Sequence, residues 1–364
     1  MLFFLFLLSL KLHTYSQFRK QLSNQHISNH TPKEDSHNSK TIQNDRITCK
    51  PDLNAENDFS NIFDVDISSN TEISLVDCTN QTQTISLTGR IIENVRVTGD
   101  RYILKGLIYI FNSDFECTIN SFSRCSTTSN QGQILHFAGD YGYHLISGTT
   151  FDTCGVGVMY GNDYGQTTGP SLIHCGSDSF HNLTCVNFTN NLFNIRSVCI
   201  SSMGTLSIEN TTFFNSTSSN RGGAVCIHRS NNASIFNSTF KYCKDYTEGS
   251  AINYHTNNYV NDQTPLLNIT KCNFIDCNYI SDGRVSKSVI LLDVGDLIFE
   301  DNFITFTDDS LVIPFLRIYR PGKYHINRNT FKNIYDLYHR GMTQSQYLSI
   351  CICYDGNTSP SMPP

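Results

Sequence analysis

The sequence predicts an all-β protein folded as a right-handed parallel β-helix, a solenoid of about eight or more coils. The first observation is a repeated phrase, because Leu-Ser-Ile-Glu-Asn-Thr-Thr-Phe at 206–213 returns as Ala-Ser-Ile-Phe-Asn-Ser-Thr-Phe at 233–240. The second is a fixed offset, since an aliphatic residue stands five positions before each repeat phenylalanine. A repeat of this length is typical of stacked coils that bury a continuous core together.

The repeat extends well beyond these two copies. Its phenylalanines, separated by 37, 25, 27, 34, 29 and 28 residues, are Phe151, Phe188, Phe213, Phe240, Phe274, Phe303 and Phe331. The aliphatic residues five positions earlier are Ile146, Leu183, Ile208, Ile235, Ile269, Ile298 and Ile326. Phe122, with Cys117 in the aliphatic position, is a candidate eighth member. The variable spacing indicates that insertions are confined to one part of the coil while the packed part stays constant.

The offset of five residues predicts a corner. Side chains alternate faces along a strand, so two residues an odd number apart cannot both point inward on one unbroken strand. Small polar residues such as Asn210 and Asn237 stand between them, and Asn tolerates the left-handed backbone of a tight corner. Each coil should therefore contain two short strands joined at this corner, with the Ile and Phe rows and Ala224 buried inside.

The ends of the chain differ in composition from the repeat region. Residues 1–16 form a short apolar run typical of a signal peptide, with an N-terminal anchor or a misassigned start as the alternative. Residues 17–46 are rich in Ser, Asn, His and Gln and are predicted to be a disordered leader. The β-helix is predicted to span 47–354, followed by a disordered tail at 355–364. We expect no transmembrane helix in the mature chain.

Net charge and cysteine content indicate which partners and which cellular compartment to expect. The net charge is −6, from 26 basic and 32 acidic residues, and no basic run is present, so we expect no nucleic-acid partner. Fourteen cysteines behind a predicted signal peptide indicate an oxidising compartment and a secreted or cell-surface protein. Four cysteines occupy the position three residues after a repeat phenylalanine: Cys125, Cys154, Cys243 and Cys277. Two alternatives stay open there, buried free thiols and disulfides between neighbouring coils.

Ten Asn-x-Ser/Thr sequons are the candidate modification sites. They are Asn29, Asn80, Asn182, Asn187, Asn210, Asn215, Asn232, Asn237, Asn268 and Asn357. The chosen glycosylation candidates are Asn210, Asn215, Asn237 and Asn268, although an Asn- and Thr-rich repeat also generates sequons incidentally. Asn210 and Asn237 should face solvent at the corner, whereas Asn187 should lie beside the inward phenylalanine and bond its stacked neighbours.

No constellation of residues predicts catalysis. Asp308 with Asp309, and Asp293 with Asp296, are the candidate carboxylate pairs, but neither stands in the phrases that polygalacturonases carry. The densest His/Cys group is His174, Cys175, His181 and Cys185, and its spacing matches no compact zinc pattern. We therefore expect no catalytic residues, no metal site and no cofactor.

The motifs resemble those of known surface proteins. Gly-Gly-Ala-Val at 222–225, together with Phe-x-x-Asn and Phe-x-x-Cys phrases, resembles the repeats of chlamydial polymorphic outer-membrane proteins. It is similar as well to expanded β-helix surface families of parasitic protozoa, over roughly residues 110–335. The resemblance implies a pectin-lyase-like β-helix and a non-enzymatic, adhesive or host-contact role, with a host-cell or extracellular-matrix protein or glycan as partner. The alternative is a pectate-lyase-like carbohydrate-active enzyme, a polysaccharide lyase or glycoside hydrolase, which shares the architecture.

Overall fold

A computed structural model of the chain defines the fold. The residues that it describes are 47–48, 65–66, 73–93, 96–98, 104–127, 134–156, 171–176, 180–191, 196–200, 204–218, 222–228, 230, 232–245, 249–255, 264–279, 288–293, 295–307, 315–318, 323–332 and 352–354. The predicted signal peptide, leader and tail lie outside these residues. The solenoid belongs to the unit Asn44–Pro364.

Every element in the described ranges is a short β-strand. In chain order they are β1 (Ile47–Thr48), β2 (Val65–Asp66), β3 (Ile73–Thr79), β4 (Ile85–Thr88), β5 (Ile91–Glu93), β6 (Arg96–Thr98), β7 (Leu104–Phe111), β8 (Phe115–Thr118), β9 (Ser121–Ser123), β10 (Ser126–Thr127), β11 (Leu135–Ala138), β12 (Tyr143–Ser147), β13 (Thr150–Asp152), β14 (Gly155–Val156), β15 (Ser171–Cys175), β16 (Phe180–Thr184), β17 (Asn187–Thr189), β18 (Arg196–Ile200), β19 (Thr205–Glu209), β20 (Thr212–Phe214), β21 (Thr217–Ser218), β22 (Val225–His228), β23 (Asn232–Phe236), β24 (Thr239–Lys241), β25 (Lys244–Asp245), β26 (Ile252–His255), β27 (Leu266–Thr270), β28 (Asn273–Ile275), β29 (Asn278–Tyr279), β30 (Ile290–Leu292), β31 (Asp296–Glu300), β32 (Phe303–Thr305), β33 (Leu316–Ile318), β34 (Tyr324–Asn327), β35 (Thr330–Lys332) and β36 (Ile352–Tyr354).

The strands stack into five parallel sheets. Sheet I has 11 strands, in the order β1-β3-β7-β11-β15-β18-β22-β26-β30-β33-β36. Sheet II has nine, from β4 to β34, and sheet III has nine, from β5 to β35. Sheet IV consists of β2, β6, β10 and β14, and sheet V of β21, β25 and β29. The run β22, β23, β24, β25, β26 shows the path of one coil, which visits sheets I, II, III and V before it returns to sheet I.

The predicted all-β class and the solenoid stacking are confirmed. The described chain shows about six turns, compared with the eight or more coils that the sequence predicts. Sheets II and III each contain nine strands, and several of the coils to which these strands belong include residues outside the described ranges. In the part of the chain that the structure describes, no helix has the length and apolar character needed to span a membrane.

A left-handed residue marks each corner between sheets II and III, where the offset of five predicts a bend. The nine residues with positive φ there are Gly89, Ile119, Gly148, Cys185, Asn210, Asn237, Lys271, Asp301 and Arg328. Each stands two positions after the last inward residue of a sheet II strand. A second corner, after sheet III, has the same geometry at Arg124, Thr153, Asn190, Asn215, Tyr242 and Asp276. Because one residue at the corner adopts the left-handed backbone conformation, two residues five positions apart can both face the core.

The repeat phenylalanines form a continuous stack inside the solenoid. Phe122, Phe151, Phe188, Phe213, Phe240 and Phe274 pair in register through sheet III. Successive ring centroids lie 4.8–5.1 Å apart, with interplanar angles of 3–9°. The candidate eighth member Phe122 is thereby confirmed, and Cys117 pairs with Ile146 in the aliphatic row. This spacing equals the distance between neighbouring strands, so the coil repeat places each ring directly over the next.

One coil departs from the predicted alignment. Phe303 pairs with Asn273 and faces outward, whereas Ile304 pairs with Phe274 and is buried. Likewise Phe299, rather than Ile298, continues the aliphatic row. The alignment of Phe303 and Ile298 with the other repeats is therefore wrong by one residue. The offset of five still holds, because it now joins residue 299 to residue 304.

The Gly-Gly-Ala motif lies at the start of a sheet I strand, against the next coil. Ala224 is fully buried, as predicted. Gly222 has φ +84°, a conformation that L side chains rarely adopt. A Cβ atom on Gly223 would collide with the carbonyl oxygens of Lys244 and Ser250. The two glycines are required by close backbone approach.

Candidate functional site

The outer face of sheet III carries a row of hydroxyl and amide side chains. The row runs along the first position of successive strands and consists of Ser121, Thr150, Asn187, Thr212, Thr239 and Asn273. Each member directly precedes a buried phenylalanine, so strand alternation turns it toward solvent. Asn273 Nδ2 donates to Thr239 Oγ1 over 3.4 Å. We call these six residues the polar row.

A partly exposed aromatic cluster lies beside the polar row. Phe214 and Lys241 are register partners on the outer face of sheet III. Tyr242 follows at the corner with φ 56° and is 38% exposed. The ring centroids of Phe214 and Tyr242 are 5.6 Å apart at 71°, and Lys241 Nζ lies 5.9 Å and 5.0 Å from them. We call Phe214, Lys241 and Tyr242 the aromatic–lysine patch. A tyrosine often contributes strongly to the binding energy when a partner covers it, and a lysine near an aromatic ring adds a favourable cation–π contact.

Three of the glycosylation candidates are asparagines at corners of the solenoid. Asn210 and Asn237 are exposed, with φ 49° and 45°, and Asn237 Nδ2 donates to Asn210 Oδ1 over 2.6 Å. Asn215 is half-buried at the next corner, with φ 54°, and its Nδ2 donates to Asn190 Oδ1 over 3.2 Å. Corner geometry therefore turns these side chains outward and lets them bond along the stacking direction.

The two remaining sequons of interest lie on strands. Asn268 is half-buried in the middle of β27, and its Oδ1 accepts a hydrogen bond from Thr270 Oγ1 at 2.7 Å. Asn187 directly precedes the buried Phe188, as predicted, and it is exposed like the corner asparagines. The reason is strand alternation, because Asn187 faces away from the buried Phe188. Accessibility alone consequently does not separate Asn187 from the corner asparagines.

One of the two candidate carboxylate pairs, Asp293 with Asp296, lies within the described residues and has structural partners. Asp293 is 6% exposed, and its Oδ2 lies 2.7 Å from His255 Nδ1. Asp296 Oδ1 accepts a hydrogen bond from the backbone N–H of Lys323 at 2.7 Å. Asp308 and Asp309 lie outside the described residues. Asp293 and Asp296 are thus held by separate contacts in the coils around them.

The His/Cys group is divided between the interior and a corner. Cys175 and His181 are both buried, and His181 Nδ1 lies 3.0 Å from His144 Nδ1. Cys185 is exposed at a corner with φ 55°. The side chain of His174 lies outside the described part of the chain. Among the side chains that are described, no three His, Cys, Asp or Glu residues are grouped to hold a metal ion.

Stacked thiols fill the position three residues after the repeat phenylalanine. Cys154 hydrogen-bonds to Cys125, and this contact together with burial raises the pKa of the Cys154 thiol. Burial and a hydrogen bond with Cys277 raise the pKa of Cys243 in the same way. Cys154, Cys243 and Cys277 are in no disulfide, which corresponds to the free-thiol alternative. Cys78, in contrast, is disulfide-bonded.

Sequence reasoning missed the aromatic–lysine patch. Phe214 comes one residue after the buried Phe213, and Tyr242 comes two residues after the buried Phe240. The direction of their side chains can be deduced only when the position of the corner is known. Comparison of the chain with family models, with curated proteins and with solved structures finds no significant match. The resemblance to surface β-helix proteins therefore depends on the repeat residues themselves.

Proposed function

We propose that this protein is a non-enzymatic, secreted or cell-surface β-solenoid that contacts a host-cell or extracellular-matrix protein or glycan through the outer face of sheet III. The observation that carries the proposal is the aromatic–lysine patch beside the polar row. Tyrosine is enriched among the few residues that contribute most of the energy of a binding surface, and here Lys241 adds a cation beside the Tyr242 ring. The polar row supplies neutral donors and acceptors at regular spacing around them.

The stacked core supports this role by holding the surface rigid. Side chains of adjacent coils are fixed at the strand spacing, and their rotamers are confined by the neighbours on each rung. A rigid surface loses little conformational entropy when a partner binds. The repeat residues that resemble polymorphic outer-membrane proteins and protozoan surface families agree with a contact role outside the cell.

Location is the first test of the proposal. An antibody against the folded protein should label intact, unpermeabilised cells or the medium of the source organism. Signal that appears only after permeabilisation would contradict the proposed extracellular site.

Binding is the second test, and the chain offers a matched control. The variant Lys241→Ser/Tyr242→Asn removes the cation and the more exposed ring of the patch, and Asn at position 242 tolerates the left-handed corner. Lys332→Ser is the control, because Lys332 belongs to the same outward row of sheet III and lies 5.1 Å from the Phe303 ring. The patch variant should bind the target cells about thirty-fold more weakly, the factor that corresponds to roughly 2 kcal/mol for one lost hot spot. Equal binding by all three proteins would refute the assignment of the surface.

The carbohydrate-active enzyme stays the alternative. Its remaining candidate residues are Asp308 and Asp309, which the described structure does not include. Depolymerisation of a pectin or another acidic glycan that disappears in an Asp308→Asn/Asp309→Asn variant would replace the contact role with catalysis.

A further inference from the structure

Two aromatic rings lie stacked on the outer face of sheet II, in contact with solvent. Tyr143 and Phe180 begin the adjacent strands β12 and β16 and are register partners. Their ring centroids are 5.6 Å apart at an interplanar angle of 4°, and the two residues are 42% and 39% exposed. Burial of exposed aromatic carbon is favourable, so this platform suits a ligand with an apolar face.

A sequon lies on the same strand and the same face. Phe180, Asn182 and Thr184 alternate with the buried His181 and Leu183, so all three point outward. Thr184 Oγ1 donates to Asn182 Oδ1 over 3.0 Å. This hydrogen bond uses the oxygen of the amide and leaves the nitrogen Nδ2, the atom that carries an N-linked glycan, as the attachment point.

The two residues that lie beside Asn182 on the neighbouring strands are uncharged. Its register partners are Leu145 on β12 and Ser207 on β19. A sugar attached at Asn182 therefore meets neutral side chains on both sides and an aromatic platform along its own strand. The C–H face of a pyranose is apolar and slightly positive, which complements the negative face of an aromatic ring.

We propose that Asn182 carries an N-linked glycan whose first sugar packs on Phe180, with Tyr143 stacked beside it. This inference rests on the proposed passage through the secretory pathway. In the transfer, Asn182 Nδ2 bonds to the anomeric carbon of the sugar and loses one proton to the enzyme's base. The bond from that carbon to the phosphate of a lipid-diphosphate oligosaccharide donor breaks, and the lipid diphosphate leaves.

The other described sequons lack this arrangement. Asn210 and Asn237 lie at a corner, and the residue two positions before each is an inward isoleucine of the preceding strand. Asn268 is the closest match, since it also lies mid-strand with a threonine bonded to it, but the residue two positions earlier is Leu266. Asn268 thus serves as a control within the same molecule, with the same strand geometry and no aromatic platform.

The test uses full-length protein secreted from a glycosylating host. Site-resolved glycopeptide mass spectrometry should find Asn182 occupied. Under native conditions an endoglycosidase should remove the Asn182 glycan more slowly than it does in the variant Tyr143→Ser/Phe180→Ser. The expected difference is about two- to ten-fold, the factor that one aromatic stacking contact contributes. Removal from Asn268, where that site is occupied, should proceed at the same rate in both proteins and shows that the variant is folded.

The outcomes separate this inference from the proposed function. Glycans at other sequons with Asn182 empty would overturn the inference and leave secretion standing. An occupied Asn182 whose removal rate does not change in the variant would overturn the packing on Phe180. A protein with no glycan at any sequon would overturn secretion, and the inference with it.

Discussion

Replacing Phe240 with alanine should open the middle of the solenoid while its C-terminal coils stay closed. Phe240 is fully buried, and its ring centroid lies 4.8 Å from that of Phe213 and 4.9 Å from that of Phe274. Truncation of a buried phenylalanine costs about 3–5 kcal/mol. Both ring faces lose a stacking partner, each worth about 0.5–1.5 kcal/mol, so we expect the upper end of that range.

The loss should be local, because a coil of a solenoid contacts only its neighbours. Hydrogen exchange measured by mass spectrometry should show peptides from 206–280 opening about four-thousand-fold more often, the factor that corresponds to about 5 kcal/mol. Peptides around Phe331 should exchange as in the wild type. Uniform acceleration along the chain would show that the coils unfold as one unit and would refute the local reasoning.

Phe236→Ala is the matched control. This phenylalanine belongs to the same coil but lies on the outer face of sheet II, 36% exposed. Its ring is 5.4 Å from Lys271 Nζ, an exposed cation–π contact worth about 0.5–1 kcal/mol. If Phe236→Ala and Phe240→Ala destabilise the protein equally, the stacked ring row is not what holds the coils together.

Three further changes probe the backbone, the interior histidines and the thiols. Gly223→Ala should sharply lower the melting temperature, because its Cβ would collide with backbone oxygens, whereas Gly89→Ala, at φ +66° with no atom within 4 Å, should cost only about 1–2 kcal/mol. Equal effects would contradict the close approach at Gly223. Burial lowers the pKa of His144 from 6.5 to about 4, with His181 Nδ1 facing it at 3.0 Å. The unfolded chain therefore takes up the proton first, so the urea midpoint should fall as the pH decreases from 6.5 to about 4, and His144→Leu should flatten that slope. Iodoacetamide should label the exposed Cys185 before the buried thiols of the described residues, as judged by peptide mass spectrometry on the native protein; equal labelling would contradict their burial.

The fold was predictable because two local rules coincide in nearly every coil. An inward aliphatic residue and an inward phenylalanine five positions later require a corner, and the structure has a left-handed residue there in each case. Even Phe122, with a cysteine in its aliphatic position, obeys the rule. Stacking then follows from identical coils placed at the strand spacing.

The coil at 296–305 shows where the pattern is ambiguous. Leu297, Ile298 and Phe299 are consecutive apolar residues, and Phe303 is followed by Ile304, so hydrophobicity alone permits two registers. The corner decides between them, because Asp301 adopts φ 53°. Once that residue is fixed, Phe299 and Ile304 point inward and Phe303 points out.

Surface function was harder to predict than the core. Sequons are visible in the sequence, but the face of each asparagine depends on its distance from a corner, as the exposed Asn187 shows. Phe180 and Tyr242 were missed for the same reason, since an aromatic residue in an apolar repeat is expected inside. A usable signal exists for Phe180, because it stands two positions before a sequon on an uninterrupted strand.

The strand stacking also has a mechanical consequence. Hydrogen bonds between coils run parallel to the stacking axis. Tension applied along that axis should therefore break the contacts of one coil before those of the next. Each coil that opens would release its own length of chain, 27 residues between Phe213 and Phe240, while the remaining coils stay packed. A solenoid attached at one end and pulled at the other would lengthen in steps and limit the force on its attachment. Single-molecule stretching should give a series of small extensions; one single rupture of the whole domain would contradict this view.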